Sequence, residues 1–187
     1  IMDVHLNVPG KHNVSNSLAA IALCQAMNIP TEAIISGLAK FGGANRRFQY
    51  KGEIDGVTII DDYAHHPTEI RATLTAAANY PHKRLVLVFQ PHTYSRTYNL
   101  INEFSTAFEN ADKIIVADIY AAREKDTGLI NSKQLAEHIR ANGKDAEYVG
   151  DFEAIKDYVR KNCSEGDLLI TMGAGDVYLI GEALVED

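Results

Sequence analysis

"LVLVFQPHTYSRT", residues 85–97, opens with five apolar residues in succession and then turns to histidine, threonine, tyrosine, serine and arginine. A strand with one face in water alternates apolar and polar side chains, so the unbroken run predicts a strand over 84–89 buried on both faces. The polar block is then the segment leaving that strand's carboxyl end. "VTIID" (57–61), "KIIVAD" (113–118) and "DLLITM" (167–172) read the same way, with a shorter strand over 146–149. Helical stretches fall between them over 68–79, 98–110, 132–142 and 151–161, and "GAGD" (173–176) opens a last helix to about residue 185. Thr97 and Ser132 are the caps expected for the second and third of these helices. Alternating helices and strands predict right-handed crossovers, hence an α/β, Rossmann-like fold with a mostly parallel sheet and helices on both faces.

Upstream, "FQYKGEI" (48–54) and "VTIID" flank Asp55-Gly56, the dipeptide that supplies positive φ angles in a tight turn, so an N-terminal β-hairpin leads into the sheet. "NVSNSLAAIALCQAM" (13–27) predicts a well-buried helix capped by Asn13 or Ser15, and 31–40 a shorter one capped by Thr31. The alternation Val4, Leu6, Val8 predicts a strand at the very start, and a first residue other than methionine suggests a piece of a longer protein. "FGGANRRF" (41–48) has the composition of a hinge and marks a boundary between two domains.

With 25 acidic against 18 basic residues the net charge is −7, and the basic residues form no block, which argues against nucleic acid or an anionic membrane as partner. No apolar run approaches the roughly 18 residues needed to span a bilayer and no signal peptide opens the chain, so the cytoplasm is the expected compartment. Cys24 and Cys163 show no Cys-x-x-Cys spacing and read as reduced structural thiols.

In parallel sheets ligands bind beyond the carboxyl ends of the strands. "DDYAHHPTEI" (61–70) and "QPHTYSRT" (90–97) would bring Asp61, Asp62, His65, His66, His92 and Arg96 to one rim. Three histidines and two carboxylates suit a divalent metal, but adjacent histidines entering a helix diverge and no His-x-x-x-His pair shares a helical face, so no metal site is expected. Pro67 and Glu69 suit the first turn of a helix that His66 would cap poorly, which leaves Asp61, Asp62 and His65 over for function. Arg96 close to a helix start opposes the dipole and fits an anion such as a carboxylate or phosphate. "GAGD" lacks the third glycine of a dinucleotide fingerprint, since Tyr178 stands there, and supports only a tight turn whose amides could face an anion. No phosphate-cradling G-x-x-x-x-G-K-[ST] segment is present. "DIYAAREKDTG" (118–128) is polar and long enough to move over a site.

Taken in order, "PGKHNVSNSLAAIA" (9–22), "RRFQ" (46–49), "DDYAHHPTEI", "FQPHTYSRT" (89–97) and "MGAGD" (172–176) resemble the C-terminal half of the Mur ligases, and in particular their alanine-adding branch. The resemblance implies that residues 1–46 are the helical tail of a central ATP-binding domain and 47–187 a Rossmann-like C-terminal domain. It implies ATP and Mg²⁺ as cofactors, the metal ligands lying upstream of this chain, and UDP-N-acetylmuramate and L-alanine as substrates, joined through an acyl phosphate in peptidoglycan synthesis. By motif, Asn13 and Asn16 would face adenine, and Arg47 and Asp62 the nucleotide. His65, His92 and Arg96 would form the amino-acid site, with Arg96 gripping the carboxylate. Many relatives carry arginine where this chain has Thr93, which leaves Arg96 as the main anion group. The chain alone is expected to fold without catalysing. A peptide-recycling ligase acting on the same UDP-sugar and a non-catalytic nucleotide or amino-acid binding module are the rival readings.

Overall fold

The computed structural model describes residues 2–8 and 10–186. The chain divides into two compact units, Ile1–Asn45 and Arg46–Asp187.

The first unit holds helices α1 (Lys11–Ala26) and α2 (Thr31–Lys40). Both depart from expectation at their starts. Helix α1 begins before Asn13, because Gly10 at φ 99° supplies a backbone start without any side-chain cap, and the Asn13 amide donates to the Gly10 carbonyl at 3.0 Å. Helix α2 is preceded by Pro30, whose extended conformation leaves Thr31 as the first helical residue rather than the cap. The burial expected of α1 is absent: Ser17 is its one buried residue, while Leu18 and Leu23 stand exposed. Alanine and leucine favour the helix locally, but burial needs a covering layer, and within this unit only the shorter α2 accompanies it. No strand forms among residues 2–8, since an isolated alternating run has no partner for its backbone.

The second unit is a sheet of six strands, β1 (Gln49–Ile54), β2 (Val57–Asp62), β3 (Arg84–Phe89), β4 (Lys113–Ala117), β5 (Ala146–Gly150) and β6 (Asp167–Met172), in spatial order β1-β2-β6-β3-β4-β5. Only β1 runs antiparallel, as half of the expected hairpin, with Asp55 at φ 49° and Gly56 at φ 76° making its turn. The other pairings are parallel. Unbroken apolar runs are explained by two cores. Leu85, Leu87 and Phe89 face one, with helices α3 (Pro67–Ala77), α5 (Ile101–Ser105) and α6 (Ser132–Ala141); Val86 and Val88 face the other, with α7 (Phe152–Asn162) and α8 (Tyr178–Glu186). Phe89 packs on Phe104 and Phe108 at ring separations of 5.7 and 5.2 Å, and truncating it to alanine would cost about 3–5 kcal/mol.

Two further helix starts differ from expectation. The helix placed over 98–110 is replaced by α4 (Tyr94–Asn99) and α5, interrupted at Leu100. Thr97 therefore lies inside α4, its hydroxyl donating to the Thr93 carbonyl at 2.7 Å. Helix α6 is capped by Asn131 instead of Ser132, in a reciprocal pair with Gln134 at 2.9 and 3.0 Å. Because β6 is inserted between β2 and β3, the segments leaving β2, β6, β3 and β4 lie side by side at one rim.

Candidate functional site

At the end of β2 two adjacent carboxylates point to opposite faces of the sheet, as a strand requires. Asp61 accepts from Arg46 Nε at 2.8 Å and from Thr171 Oγ1 at 2.8 Å. Asp62 accepts from the amides of Phe48 and Ala64, both at 2.8 Å, and from the Thr73 hydroxyl at 3.1 Å. Burial pushes the Asp62 carboxyl above its ordinary value, against the opposing pull of those three bonds and of the Arg47 charge. Expected to contact a nucleotide, Asp62 has both oxygens engaged inside the chain.

Arg46 holds more than Asp61. Its Nη1 and Nη2 donate to the carbonyls of Gly175 and Gly173 at 2.9 and 2.7 Å, and its guanidinium lies over the rings of Tyr63 and Tyr178 at 5.1 and 4.5 Å. The turn "GAGD" thus offers two of its carbonyls to a cation of the chain itself. Its glycines serve close packing: a Cβ on Gly175 would lie 2.6 Å from Tyr120 Cγ, and one on Gly173 2.7 Å from the Gln90 carbonyl. Arg47 is exposed, its guanidinium 5.6 Å from the centre of the Tyr63 ring.

His66 does cap α3. Its Nδ1 accepts from the Thr68 amide at 3.3 Å, while Glu69 Oε2 accepts from the amides of His66 and His65 at 3.3 and 3.1 Å. Burial raises the Glu69 carboxyl, but the His65 amide and ring and the His66 amide bring it net below its usual value.

The His65 ring, its Nδ1 3.3 Å from Glu69 Oε2, stands between that cap and the rim, where a ladder of rings crosses the strand ends. Tyr63 meets His65 edge-on at 5.4 Å, His65 meets His92 at 5.8 Å, and His92 stacks on Tyr120 at 5.5 Å. Arg96, within α4, reaches back so that Nη1 donates to the His92 carbonyl at 2.9 Å and to its Nδ1 at 3.3 Å. With α4 only six residues long, the opposition between Arg96 and a helix dipole carries little weight. Burial, then the charges of Arg96 and His65, hold His92 below the ordinary imidazole value.

The loop after β4 is tied to this segment. Glu124 accepts from the Ser95 amide at 2.8 Å, from the Thr93 hydroxyl at 2.5 Å and from the Ser95 hydroxyl. These donors hold its carboxyl at about 2. It completes the N-terminus of α4, which has no cap of its own.

The structure therefore brings His65, His92 and Arg96 to one rim and places Arg47 and Asp62 beside the entry to the second unit. Asn13 and Asn16 stand three apart on α1 in the first unit. Arg46, Tyr120 and Glu124 were not picked out by sequence reasoning: nothing in "RR" ranks one arginine over the other, and one acid in a polar loop carries no mark of its target. Among the described residues no group of three or more His, Cys, Asp or Glu is placed to hold a metal, and no helix is long and apolar enough to cross a membrane.

A six-stranded, mostly parallel α/β sheet with a cationic, imidazole-bearing rim beyond its strand ends defines a Rossmann-like ligand-binding domain. The chain belongs to the Mur ligase family, whose description "Mur ligase, glutamate ligase domain" matches residues 46–175. It is 59% identical over its full length to a UDP-N-acetylmuramate–L-alanine ligase of Agathobacter rectalis, and 54% identical over 97% of its length to one of Clostridium novyi. It spans 40% of the length of each of these relatives. A crystal structure of the UDP-N-acetylmuramate-alanine ligase of Thermotoga maritima superposes with a TM-score of 0.83 at 30% identity, over all of this chain and 40% of that one. A murein peptide ligase of Psychrobacter arcticus shares the fold, with a TM-score of 0.69 at 24% identity over 98% of this chain and 38% of its own.

Proposed function

We propose that this chain is the C-terminal part of an ATP-dependent ligase that joins L-alanine to the lactyl carboxylate of UDP-N-acetylmuramate in peptidoglycan synthesis. The observation that carries the reading is the 59% identity, over the whole chain, to a ligase named for that reaction. Residues 1–46 are the tail of a central ATP-binding domain and 47–187 the C-terminal domain, the compact units meeting one residue earlier.

ATP phosphorylates the carboxylate of the sugar, the amine of alanine attacks the acyl phosphate, and phosphate leaves. Mg²⁺ bound with ATP would supply charge neutralisation for the transferred phosphoryl group; among the described residues no group is placed to hold it, and none of this chain is assigned to it. Asn13 and Asn16 share one side of α1, where amides with a donor beside an acceptor suit a purine edge. Arg47, exposed at the start of the second unit, suits the nucleotide phosphates. Asp62 acts on the nucleotide indirectly, by holding the Phe48 amide and so the segment that presents Arg47. Arg96 and His92 take the alanine carboxylate, a role that Arg96 suits because Nη1 alone is engaged by neighbours among the described residues.

The test is phosphate release by the full-length protein with ATP, Mg²⁺ and UDP-N-acetylmuramate. Release that requires L-alanine is expected. Release with a preformed peptide and none with L-alanine would replace this reading by a recycling ligase, and nucleotide binding without release would replace it by a binding module.

A further inference from the structure

Two residues with left-handed backbone flank Arg47. Arg46 has φ 58° and Phe48 φ 48°, a region where the Cβ of a non-glycine residue crowds the following carbonyl oxygen, so both conformations persist only where the surroundings hold them. Arg46 is held through backbone and side chain alike. Its amide donates to Gln49 Oε1 at 2.8 Å, its carbonyl accepts from the Tyr63 amide at 2.7 Å, and its guanidinium bonds Asp61, Gly173 and Gly175. Phe48 is held by its amide, which donates to Asp62 at 2.8 Å, and by its ring, 5.9 Å from that of Tyr80.

Arg47, between them, is exposed. Its guanidinium lies 5.6 Å from the centre of the Tyr63 ring, and its charge is felt by the carboxyls of Asp62 and Glu69. The two neighbouring arginines thus differ in kind: the first is spent on the chain's own acceptors, while the second is presented to solvent. A backbone rotation at residue 46 would re-aim everything up to the next fixed point, the Phe48 amide, and Arg47 is the one side chain in that interval. A guanidinium suits this anchorage, because its planar fork can meet three acceptors from two separate elements, the end of β2 and the turn after β6. A lysine ammonium on its flexible stem fixes no such plane.

We propose that Arg46 is a positioning residue for Arg47: anchored on Asp61 and on the carbonyls of Gly173 and Gly175, it imposes the left-handed backbone from which Arg47 is presented to the nucleotide phosphates. This rests on the ligase reading given above, in which Arg47 meets those phosphates, and adds how that side chain is aimed. Asp61 acts one step further back, as the counter-ion of the anchor. The aim matters because a guanidinium already oriented binds an anion without first giving up the freedom of its backbone. The competing role for Arg46 is stabilisation of the fold alone, with no bearing on Arg47.

Two measurements test this separately. In this chain, backbone ¹³C chemical shifts of residues 46 and 48 read their φ without any reference to catalysis. Left-handed values at both are expected in the wild type, with residue 46 leaving that region in Arg46→Met; a variant that keeps it would overturn the proposal. In the full-length protein, Arg46→Met should raise the KM for ATP about tenfold and leave the KM for L-alanine unchanged. The same substitution in an Arg47→Met background should raise it further by less than about twofold, because the residue it positions is gone. Arg46→Gly, whose backbone accepts positive φ without a Cβ, should recover part of the loss, while Arg46→Lys, with the charge but not the fork, should not. Effects of the two arginines that simply multiply, no recovery with Arg46→Gly, full recovery with Arg46→Lys, or an equal rise in both KM values would each overturn the proposal. Should Arg46→Met fail to fold, Arg46→Lys replaces it in the comparison with the Arg47→Met background. If the wild-type protein releases no phosphate from ATP with L-alanine and UDP-N-acetylmuramate present, the ligase reading fails and this proposal with it, while the chemical shifts still decide whether Arg46 holds its backbone.

Discussion

Arg46→Met removes three bonds from one cation: to Asp61 at 2.8 Å, to the Gly175 carbonyl at 2.9 Å and to the Gly173 carbonyl at 2.7 Å. The carboxylate it abandons is 1% exposed and keeps Thr171 as its side-chain donor. Removing one partner of a buried ion pair costs about 3–5 kcal/mol, because the other charge stays in a dry site. The guanidinium is 20% exposed, so water can partly follow it, and we expect the lower end, about 3 kcal/mol. Urea unfolding of the chain followed by circular dichroism measures it. With a slope of about 2 kcal/mol/M the midpoint should drop by about 1.5 M. Asp61→Asn removes the stranded charge, so Arg46→Met with Asp61→Asn should be more stable than the sum of the singles by about 2 kcal/mol. Arg47→Met, at an exposed position, should shift stability by less than about 0.5 kcal/mol. A midpoint drop below about 0.5 M for Arg46→Met, or strictly additive singles, would refute the claim that Arg46 and Asp61 act as one buried unit.

Three further outcomes are expected. The Glu124 carboxyl, held at about 2, ties Ser95 from above the ordinary carboxylate range down to that value, and its contribution is lost as pH falls through it. The Ser95 amide resonance should therefore titrate near pH 2, and a midpoint near 4.5 would break the assignment. Gly175→Ala must displace Gln90 and Tyr120, costing about 1–3 kcal/mol in thermal unfolding and weakening the His92–Tyr120 stack; an unchanged melting temperature would show that the turn yields freely. Asn131→Ala should cost about 1 kcal/mol by urea unfolding and Ser132→Ala far less, whereas the reverse order would restore Ser132 as the cap of α6.

The sheet was legible because its determinants are local. Five apolar residues in a row admit few alternatives to a strand covered on both sides, and Asp55-Gly56 carries its own positive φ angles. The start of α4 was not legible, because its acceptor comes from Glu124, 29 residues further along the chain from Ser95. Thr97 resembles a cap in sequence but occupies the helix interior for that reason. Similarly, α1 is helical by composition while its burial depends on what lies against it, which composition does not encode. The rim could be located from the rule for parallel sheets, yet the choice between Arg46 and Arg47 as the buried anchor follows from the turn of Gly173–Gly175, more than 120 residues away.

The density of polar residues in "DDYAHHPTEI" is mostly structural once each partner is known. Asp61 shares its face of β2 with Ile59 and secures Arg46 and Thr171; Asp62 shares the other with Ile60 and secures Phe48, Ala64 and Thr73. His66 and Glu69 close the first turn of α3. With those groups engaged, His65 is the member of the motif whose ring reaches the ladder of rings at the rim, meeting Tyr63 and His92. The surrounding anchors fix its backbone on both sides, through Asp62, three residues earlier, which holds the Ala64 amide, and through Glu69 four residues later. Holding one imidazole at one position on the rim requires such a scaffold, since a side chain serves a site only if it is already placed when a ligand arrives.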